Sequence, residues 1–363
     1  AATGALLLAA GASASRVQVN SSMLETYEPG HPVARRLRLI ERQLGGIGFL
    51  EISLHADDPN ELLRPAVLGR VRQVQRWAER LGPVRVARSY GDLHAQARGH
   101  MLADAPPIRE ADAAELRRTD RLLRAMPEVS AYHAFMRRDG RRARIMLRLR
   151  DVGTQRTLAA IERIEHRLRK AFDDVPGVRW RLTGDAYLNA VAMDRFVRDL
   201  VRSLLGASVV IFAVIAVLFR SLRVGLVSVL PNLTPLVVTA GYMGLRGYDL
   251  NGANSIVFAI SLGVAVDNTI HFLARFREET RRCGPVADAI ARAYQGTGRA
   301  IVLNTLLILL GLAGLLLSSF MPTRRFAELT SVTMVAALVG DLLLLPACLV
   351  LLWRRPRAAS RPR

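Results

Sequence analysis

An aspartate stands inside an otherwise apolar stretch that is long enough to cross a lipid bilayer. Asp267 lies within residues 255–274, where most neighbours are Ile, Val, Leu, Ala or Phe. A charged side chain at the bilayer centre costs roughly 2.5–3.5 kcal/mol on insertion scales, and most such residues serve proton, ion or substrate transport. We therefore interpret Asp267 as a proton-relay carboxylate, with a structural hydrogen-bonding group between helices as the alternative.

Three nearby residues could assist this carboxylate. Gly263 and His271 lie four residues before and after Asp267, which places all three on one stripe of a helix. Gly263 predicts a helix-packing contact that turns Asp267 toward a bundle interior. His271 either extends the relay, because imidazole titrates near neutrality, or anchors the helix end. Asn268 follows directly and is included in the candidate relay.

Polar residues also interrupt two later apolar runs at a comparable depth. Asn304 lies within one run, and Asp341 lies within the other. If the crossings form a bundle, we expect both to converge with Asp267 and Asn268. Asp341 is then a second protonatable group or a hydrogen-bond partner of Asn304, and a purely structural role is the alternative.

The motifs of soluble enzymes are absent from the sequence. There is no GxxxxGK[ST], GxGxxG, HExxH or paired CxxC. We therefore expect no catalytic residues, no bound cofactor and no metal. Without a nucleotide site, any transport must draw on an ion gradient or on a partner.

The strong positive charge is nearly all arginine. The chain has 51 Lys and Arg against 31 Asp and Glu, a net charge of +20, and Lys170 is the only lysine. No nucleic-acid motif accompanies this charge, so we interpret it as a solvated surface and expect no nucleic-acid partner. Cys283 and Cys348 lie in a polar loop and an apolar run, so no disulfide framework is expected.

Five apolar runs predict a bundle of five full transmembrane helices. They cover about residues 197–219, 224–245, 253–275, 300–320 and 327–353 of a bundle that we place at 193–353. Each approaches or exceeds the roughly 20 residues that cross a hydrocarbon core. Residues 1–15 are too short for a crossing and lack the basic start of a signal peptide, so we interpret them as a truncated transmembrane helix.

The segment between the third and fourth crossings is a separate feature. Within the loop 276–298, apolar residues recur at helical spacing over 285–294. We interpret this segment as an amphipathic helix on the membrane surface, with a short soluble helix as the alternative.

The distribution of arginine predicts the orientation. Arginines are concentrated in the turn 220–223, in the loop 275–299 and in the basic tail 354–363, whereas the opposite short loops carry few. By the positive-inside rule, these three segments are cytoplasmic and the large domain at 16–192 lies on the other, periplasmic side.

Residues 16–192 show two β-α-β patterns of similar length. Strand-like segments at 48–54 and 84–88 flank a helical pattern, and strand-like segments at 144–149 and 178–182 flank another. We predict an extramembrane α+β domain of two split β-α-β subdomains side by side. An Asp-Gly pair at 139–140 predicts a hairpin turn.

Three motifs carry a resemblance to a known superfamily. Residues 261–279, SLGVAVDNTIHFLARFREE, resemble the central motif of the resistance-nodulation-division (RND) superfamily. They are most similar to the branch of hopanoid exporters, mycobacterial lipid exporters and Patched/sterol-sensing proteins. PNLTP at 231–235 and GDLLLLP at 340–346 look like that branch too. The resemblance is strong from 184 to 353, and the order of elements is similar to the C-terminal half of a twelve-helix, porter-like transporter.

The resemblance implies a secondary active transporter of the bacterial inner membrane, not an enzyme. It implies proton-driven export of a hydrophobic or lipid substrate, with Asp267 as the intramembrane acid. The implied partners are protons, membrane lipids and the N-terminal half of the transporter or a second protomer. The resemblance implies a second acid or a tyrosine at the position where this chain has Asn268. The relay is therefore either complete in this half or dependent on an acid of the other.

Two other functions are compatible with the same resemblance. One is a lipid sensor or scaffold of the sterol-sensing kind, which binds lipid without transporting it. The other is an auxiliary of protein translocation similar to SecD/SecF.

Overall fold

The computed structural model describes residues 2–101, 107–125, 130–282 and 286–353. The predicted basic tail and Cys283 lie outside the described residues. Contacts divide the chain into two compact units. One comprises Ala1–Ser21, Thr26–Glu28 and Arg195–Arg363, and the other comprises Ser22–Glu25 and Pro29–Asp194.

The second unit is built on one four-stranded sheet, whose order is β2-β3-β1-β4. The strands are β1 (Gly48–Ala56), β2 (Val84–Ser89), β3 (Arg142–Leu149) and β4 (Val178–Thr183). All pairings are antiparallel. Helix α3 (Pro65–Ala78) connects β1 to β2, and helix α7 (Thr154–Phe172) connects β3 to β4. This order and connectivity are those of a ferredoxin-like split β-α-β unit.

The arrangement therefore differs from two adjacent subdomains. Both predicted β-α-β units are present, but β1 of the first pairs along its length with β3 of the second. Burial alternates along β1, with Leu50, Ile52 and Leu54 fully buried on one face. Each strand has one apolar face. All four apolar faces are buried when the strands form a single layer covered by helices. The hydrophobic pattern of each β-α-β unit alone does not predict that strands of the two units pair within one sheet.

The connection from β2 to β3 contains helices and the predicted turn. The helices are α4 (Tyr90–Met101), α5 (Ala113–Ala125) and α6 (Ser130–Phe135), while α2 (Pro32–Gln43) precedes β1. The hairpin turn is confirmed, because Gly140 has a φ of +69° and its amide donates to the Arg137 carbonyl. The Asp139 carboxylate accepts from the Arg141 amide at 3.0 Å.

Within the described ranges, five helices are long and apolar enough to cross a membrane, which confirms the predicted number. They span Asp185–Leu218, Leu222–Arg246, Gly252–Arg281, Val286–Leu317 and Met321–Leu351. The first three are α8, α9 and α10. The fourth contains α11 (Val286–Ala293) and α12 (Arg299–Ala313), and the fifth contains α13 (Met321–Val339) and leads into α14 (Leu345–Trp353).

Two of these helices contain a π-helical turn. Tyr294–Gly298 joins α11 to α12, and Gly340–Leu344 joins α13 to α14. The segment predicted to lie on the membrane surface is thus helical but continues into the fourth crossing. Ala289 and Ala293 are fully buried, and α11 packs against α10 and α14. Its apolar face is covered by protein. Its position on the membrane surface stays a prediction.

A short helix, α1 (Ala2–Ala14), packs along α9. Gly241 and Gly244 face it on α9. A Cβ on Gly241 would lie 2.6 Å from the Cα of Ala10, and one on Gly244 would collide with the Ser13 carbonyl. The two helices approach so closely because these positions carry no side chain.

Candidate functional site

A buried polar cluster surrounds Asp341 between α9, α10 and the second π-helical turn. Asp341 is 0% exposed. The Thr269 hydroxyl donates to Asp341 Oδ1 at 2.8 Å, and the Asn268 amide faces the same carboxyl. Oδ2 is buried and has no hydrogen-bond partner among the described residues. Burying a carboxylate oxygen without a donor is costly, so Oδ2 is a position that a proton could occupy.

Helix α9 contributes the other polar groups of this cluster. Asn232 and Ser228 are both 0% exposed. The Asn232 amide donates to the Ser228 carbonyl at 2.7 Å, and Asn232 Oδ1 lies 3.4 Å from the Thr269 hydroxyl. Asn232 thus orients its carbonyl oxygen toward the hydroxyl that holds Asp341. Neither this amide nor Thr269 was predicted as a site residue. The motif PNLTP at 231–235 nevertheless indicates polar residues within an apolar helix.

Pro346 shapes the backbone after Asp341. A proline has no N–H for the carbonyl four residues earlier, which here is Leu342. That carbonyl instead accepts the Tyr294 hydroxyl at 2.5 Å. Tyr294 is the first residue of the other π-helical turn. A single side-chain hydrogen bond therefore links the two irregular turns of the bundle.

A second proline shapes the backbone before Asp341. Pro235 leaves the Pro231 carbonyl without its helical donor. Gly340 packs against this carbonyl, and a Cβ at Gly340 would lie 2.8 Å from the Pro231 oxygen. The glycine therefore allows the second π-helical turn to approach α9, and the close approach fixes the position of Asp341.

Asp267 lies outside this cluster, on a different face of α10. The Asp267 and His271 side chains are 71% and 69% exposed, and His271 Nε2 lies 3.5 Å from Asp267 Oδ1. A Cβ at Gly263, on the same face, would meet nothing within 4 Å. The structure therefore differs from the expectation that this stripe faces the interior of the chain's own bundle. Helix α10 instead packs its other faces on α9 and α13.

The exposed stripe continues along most of α10. Its residues are spaced by three or four positions and comprise Ile256, Ile260, Gly263, Asp267, His271, Ala274 and Glu278. At 1.5 Å per residue the stripe is about 33 Å long, which is close to the thickness of a bilayer core. No other described part of the chain covers it. The packing role of Gly263 remains a prediction about a partner from elsewhere.

Asn304 does not join either group of residues. It is exposed on α12, whereas the adjacent Thr305 is 5% exposed. Of the two alternatives for Asp341, a hydrogen bond to Asn304 is not the one observed, because Thr269 is the donor that reaches Asp341 Oδ1. Neighbouring residues on a helix point about 100° apart, so a shift of one position separates the inward from the outward face.

Carboxyl and imidazole groups are the titratable groups of these two sites. Within the described ranges, no three or more His, Cys, Asp or Glu side chains are grouped so that they could hold a metal ion. A carboxyl group can bind and release a proton, and an adjacent imidazole can exchange one with it. The two acids thus present proton-binding groups on two sides of α10, Asp267 on its exposed face and Asp341 against its buried face.

Comparison with known proteins links this arrangement to membrane transport. The chain is 28% identical over 141 residues to a membrane protein of Methanocaldococcus jannaschii, covering 39% of this chain and 36% of that protein. It is 33% identical over 102 residues to the trehalose monomycolate exporter MmpL3 of Mycobacterium tuberculosis, covering 28% of this chain and 11% of that protein. It is 26% identical over 186 residues to the apo-petrobactin exporter of Bacillus anthracis, covering 49% and 25%.

The matched region thus spans about a third or less of these relatives. A family match covers far more of the chain and extends over residues 78–363, which include strands β2, β3 and β4 and all five membrane-crossing helices. It also confirms the resemblance to the C-terminal half of an RND transporter. The chain belongs to the MMPL family.

Proposed function

We propose that this chain forms part of a proton-driven exporter of a hydrophobic or lipid substrate. The observation that carries the proposal is the pair of acids on α10 and the neighbouring turn. Asp267 lies on an exposed stripe, whereas Asp341 is buried and one of its carboxyl oxygens has no hydrogen-bond partner among the residues that the structure describes. The relatives from M. tuberculosis and B. anthracis are named as exporters, which supports export as the process.

The two acids are connected through consecutive residues. Asn268 and Thr269 follow Asp267 on α10 and contact the Asp341 carboxyl. A proton on Asp267 removes its charge and with it the need for polar surroundings. We propose that α10 then shifts relative to α9 and the second π-helical turn, and that Thr269 transmits this shift to Asp341. Each proton that crosses the membrane contributes about 2.3 kcal/mol per 100 mV.

A charged stripe is not stable against lipid. We propose that the N-terminal half of the same transporter, or a second protomer, covers the face that carries Asp267. Because Asn268 is not ionisable, proton donors or acceptors on that partner would complete the relay. The proposed location is the bacterial inner membrane, with residues 16–192 on the periplasmic side. The turn after α8 and the end of α10 line one cavity, so two arginine-rich segments share one end of the bundle.

The test uses the complete transporter in vesicles with an imposed pH gradient. Proton flux is followed with a pH-sensitive dye, and transport with a fluorescent phospholipid as the probe. We expect Asp267→Asn to abolish proton-coupled movement of the probe and Asp341→Asn to reduce it at least tenfold. The matched control is Asp288→Asn, which removes an exposed acid on α11 and should leave both rates unchanged.

Unchanged proton-coupled transport in correctly folded Asp267→Asn would contradict the relay. A lipid sensor or scaffold would give a different result, because wild-type protein would bind the probe without proton flux. Both measurements are made on the same vesicles, so the two functions are distinguished directly.

A further inference from the structure

A cavity of about 220 Å³ lies at one end of the bundle, between the turn after α8 and the last turns of α10. Its floor is apolar and consists of Phe219, Val224, Leu273 and Phe276. None of these four side chains is more than 8% exposed. The cavity therefore offers a surface suited to hydrocarbon at the end of membrane-crossing helices.

Two arginines form the rim of this cavity. Arg277 donates to the Leu218 carbonyl at 3.3 Å, and its guanidinium lies 5.8 Å from the centre of the Phe219 ring. Arg281 lies one turn later and is exposed. Among the described residues, neither guanidinium has a carboxylate partner.

The neighbouring arginines, unlike the two at the rim, have a carboxylate partner. Arg275, Arg282 and Arg292 all form ion pairs with Glu279, whose side chain is 2% exposed. This buried acid offsets part of the charge in its own cluster. The uncompensated charge at this end of α10 is thus concentrated on the two arginines that border the cavity.

The start of α9 adds to the positive character of the rim. Ser221 is the N-cap of α9, and its hydroxyl accepts from the Val224 amide at 3.5 Å. Helix N-termini carry partial positive charge and favour nearby anions. Ser221 lines the cavity together with the two arginines, so these sources of positive potential meet at its mouth.

We propose that this cavity binds an anionic phospholipid of the surrounding bilayer. Its phosphodiester lies between Arg277 and Arg281, and the upper part of one acyl chain lies on the apolar floor. Basic pockets between membrane helices are suited to lipid headgroups. A free phosphate ion would use the arginines but leave the apolar floor empty, so the lining favours a lipid. The proposal rests on the membrane-crossing helices and is independent of proton coupling.

The experiment measures lipid binding to the intact protein in detergent by native mass spectrometry. The probes are phosphatidylglycerol and phosphatidylcholine with identical acyl chains, each titrated separately. We expect wild-type protein to retain one phosphatidylglycerol in preference to phosphatidylcholine. Arg277→Gln with Arg281→Gln should weaken phosphatidylglycerol binding at least about tenfold, because each basic residue near an anionic headgroup contributes to affinity.

A matched charge control separates this site from general attraction. Arg220→Gln with Arg223→Gln removes two exposed arginines from the same turn, outside the cavity lining, and should leave the affinity within about twofold. Val224→Phe keeps both rim arginines but occupies the apolar floor, and should also weaken binding. Thermal unfolding of each variant confirms that it is folded before its affinity is interpreted.

Three results would overturn the proposal. Equal binding of both lipids by wild-type protein would show that the arginines do not select a headgroup. Equal losses in the two arginine pairs would show that only net charge matters. Displacement of phosphatidylglycerol by millimolar inorganic phosphate would show that the site recognises free phosphate instead of a lipid.

Discussion

Asp341 depends on one hydroxyl for its best hydrogen bond. Thr269 donates to Oδ1 at 2.8 Å, while Oδ2 has no partner in the described part of the chain. Losing a donor to a buried polar group costs about 1–3 kcal/mol, and hydrogen bonds between membrane helices average somewhat less. The contribution of Thr269 can therefore be measured by removing its hydroxyl alone.

We expect Thr269→Val to lower the free energy of unfolding by about 1–2 kcal/mol. The change keeps the shape of the side chain and removes only the donor. The control is Thr330→Val, because the Thr330 hydroxyl is buried and has no hydrogen-bond partner within the described ranges, so its loss should cost little. Unfolding in mixed micelles provides the measurement. Equal effects of the two substitutions would mean that the Thr269 bond does not stabilise the bundle.

The sheet unit contains a buried histidine of a different kind. His94 Nε2 lies 3.1 Å from the Tyr132 hydroxyl, which in turn donates to Asp120. Burial lowers the pKa of His94 to about 4, with Arg124 and Arg98 acting in the same direction and Asp120 opposing them. His94 is therefore neutral in the folded unit at neutral pH.

This histidine predicts acid sensitivity of the sheet unit. An unfolded histidine has a pKa of about 6.5, so between about pH 6.5 and 4 the unfolded state binds a proton that the folded state does not. Stability is full above this window and falls as the pH drops through it. We expect a loss of about 2 kcal/mol from pH 7 to pH 5, seen as faster hydrogen exchange in β1 and β3 after correction for intrinsic rates.

His94→Gln should flatten this pH dependence, because glutamine does not titrate. His133→Gln removes an exposed histidine beside Tyr132 and should leave the dependence unchanged. A steep loss of protection that persists in His94→Gln would assign the acid sensitivity to another group.

At the scale of elements, periodicity predicted the helices and strands but not their continuity. The four strands occur where their apolar patterns indicated, and five helices of the described ranges are long and apolar enough to be crossings. The end of α10 extends to Arg281 beyond its apolar run, because Arg275 and Arg282 form ion pairs along the helix with Glu278 and Glu279. The π-helical turns were not predicted, because they depend on which backbone carbonyls accept a hydrogen bond from a side chain that is distant in sequence.

The Tyr294 bond allows a direct test of this explanation. We expect Tyr294→Phe to destabilise the bundle by about 1–2 kcal/mol, because the Leu342 carbonyl loses its donor. Pro346→Ala restores a backbone N–H for that carbonyl. In the double variant, the cost of Tyr294→Phe should therefore be smaller than in the wild-type background, and a double-mutant cycle of unfolding free energies measures the difference. Strict additivity would show that the two residues do not serve the same carbonyl.

At the scale of the whole molecule, the sequence predicted which charged residues are costly within a membrane segment. It did not predict which helix faces are covered by other helices. Spacing placed Gly263, Asp267 and His271 on one stripe, and the structure retains that stripe. Whether the stripe faces inward depends on how α10 is rotated against α9 and α13, which the stripe itself does not encode. Asp341 could be singled out as a charge in an apolar run, whereas its partner Thr269 could be found only from the packing.

The open stripe predicts a substitution that separates folding from assembly. We expect Gly263→Leu to leave the stability of this chain unchanged, because a Cβ there meets no atom of the described residues within 4 Å. In the complete transporter it should reduce export at least tenfold, since a leucine would hold the covering helix away from Asp267. Gly311→Leu is the control, because Gly311 also faces open space on α12. Export that is equally unaffected in both variants would show that no helix packs closely at Gly263.

The spacing of the stripe has a geometric consequence for whatever helix covers it. From Ile256 to Glu278 the exposed positions advance by 4, 3, 4, 4, 3 and 4 residues, an average of about 3.7 per turn. A seam with this period drifts opposite to a heptad seam and favours a right-handed crossing. Cysteine cross-links from Ile256, Ile260 and Ala274 to the covering helix should therefore follow a right-handed path, which would distinguish it from an ordinary left-handed coiled coil.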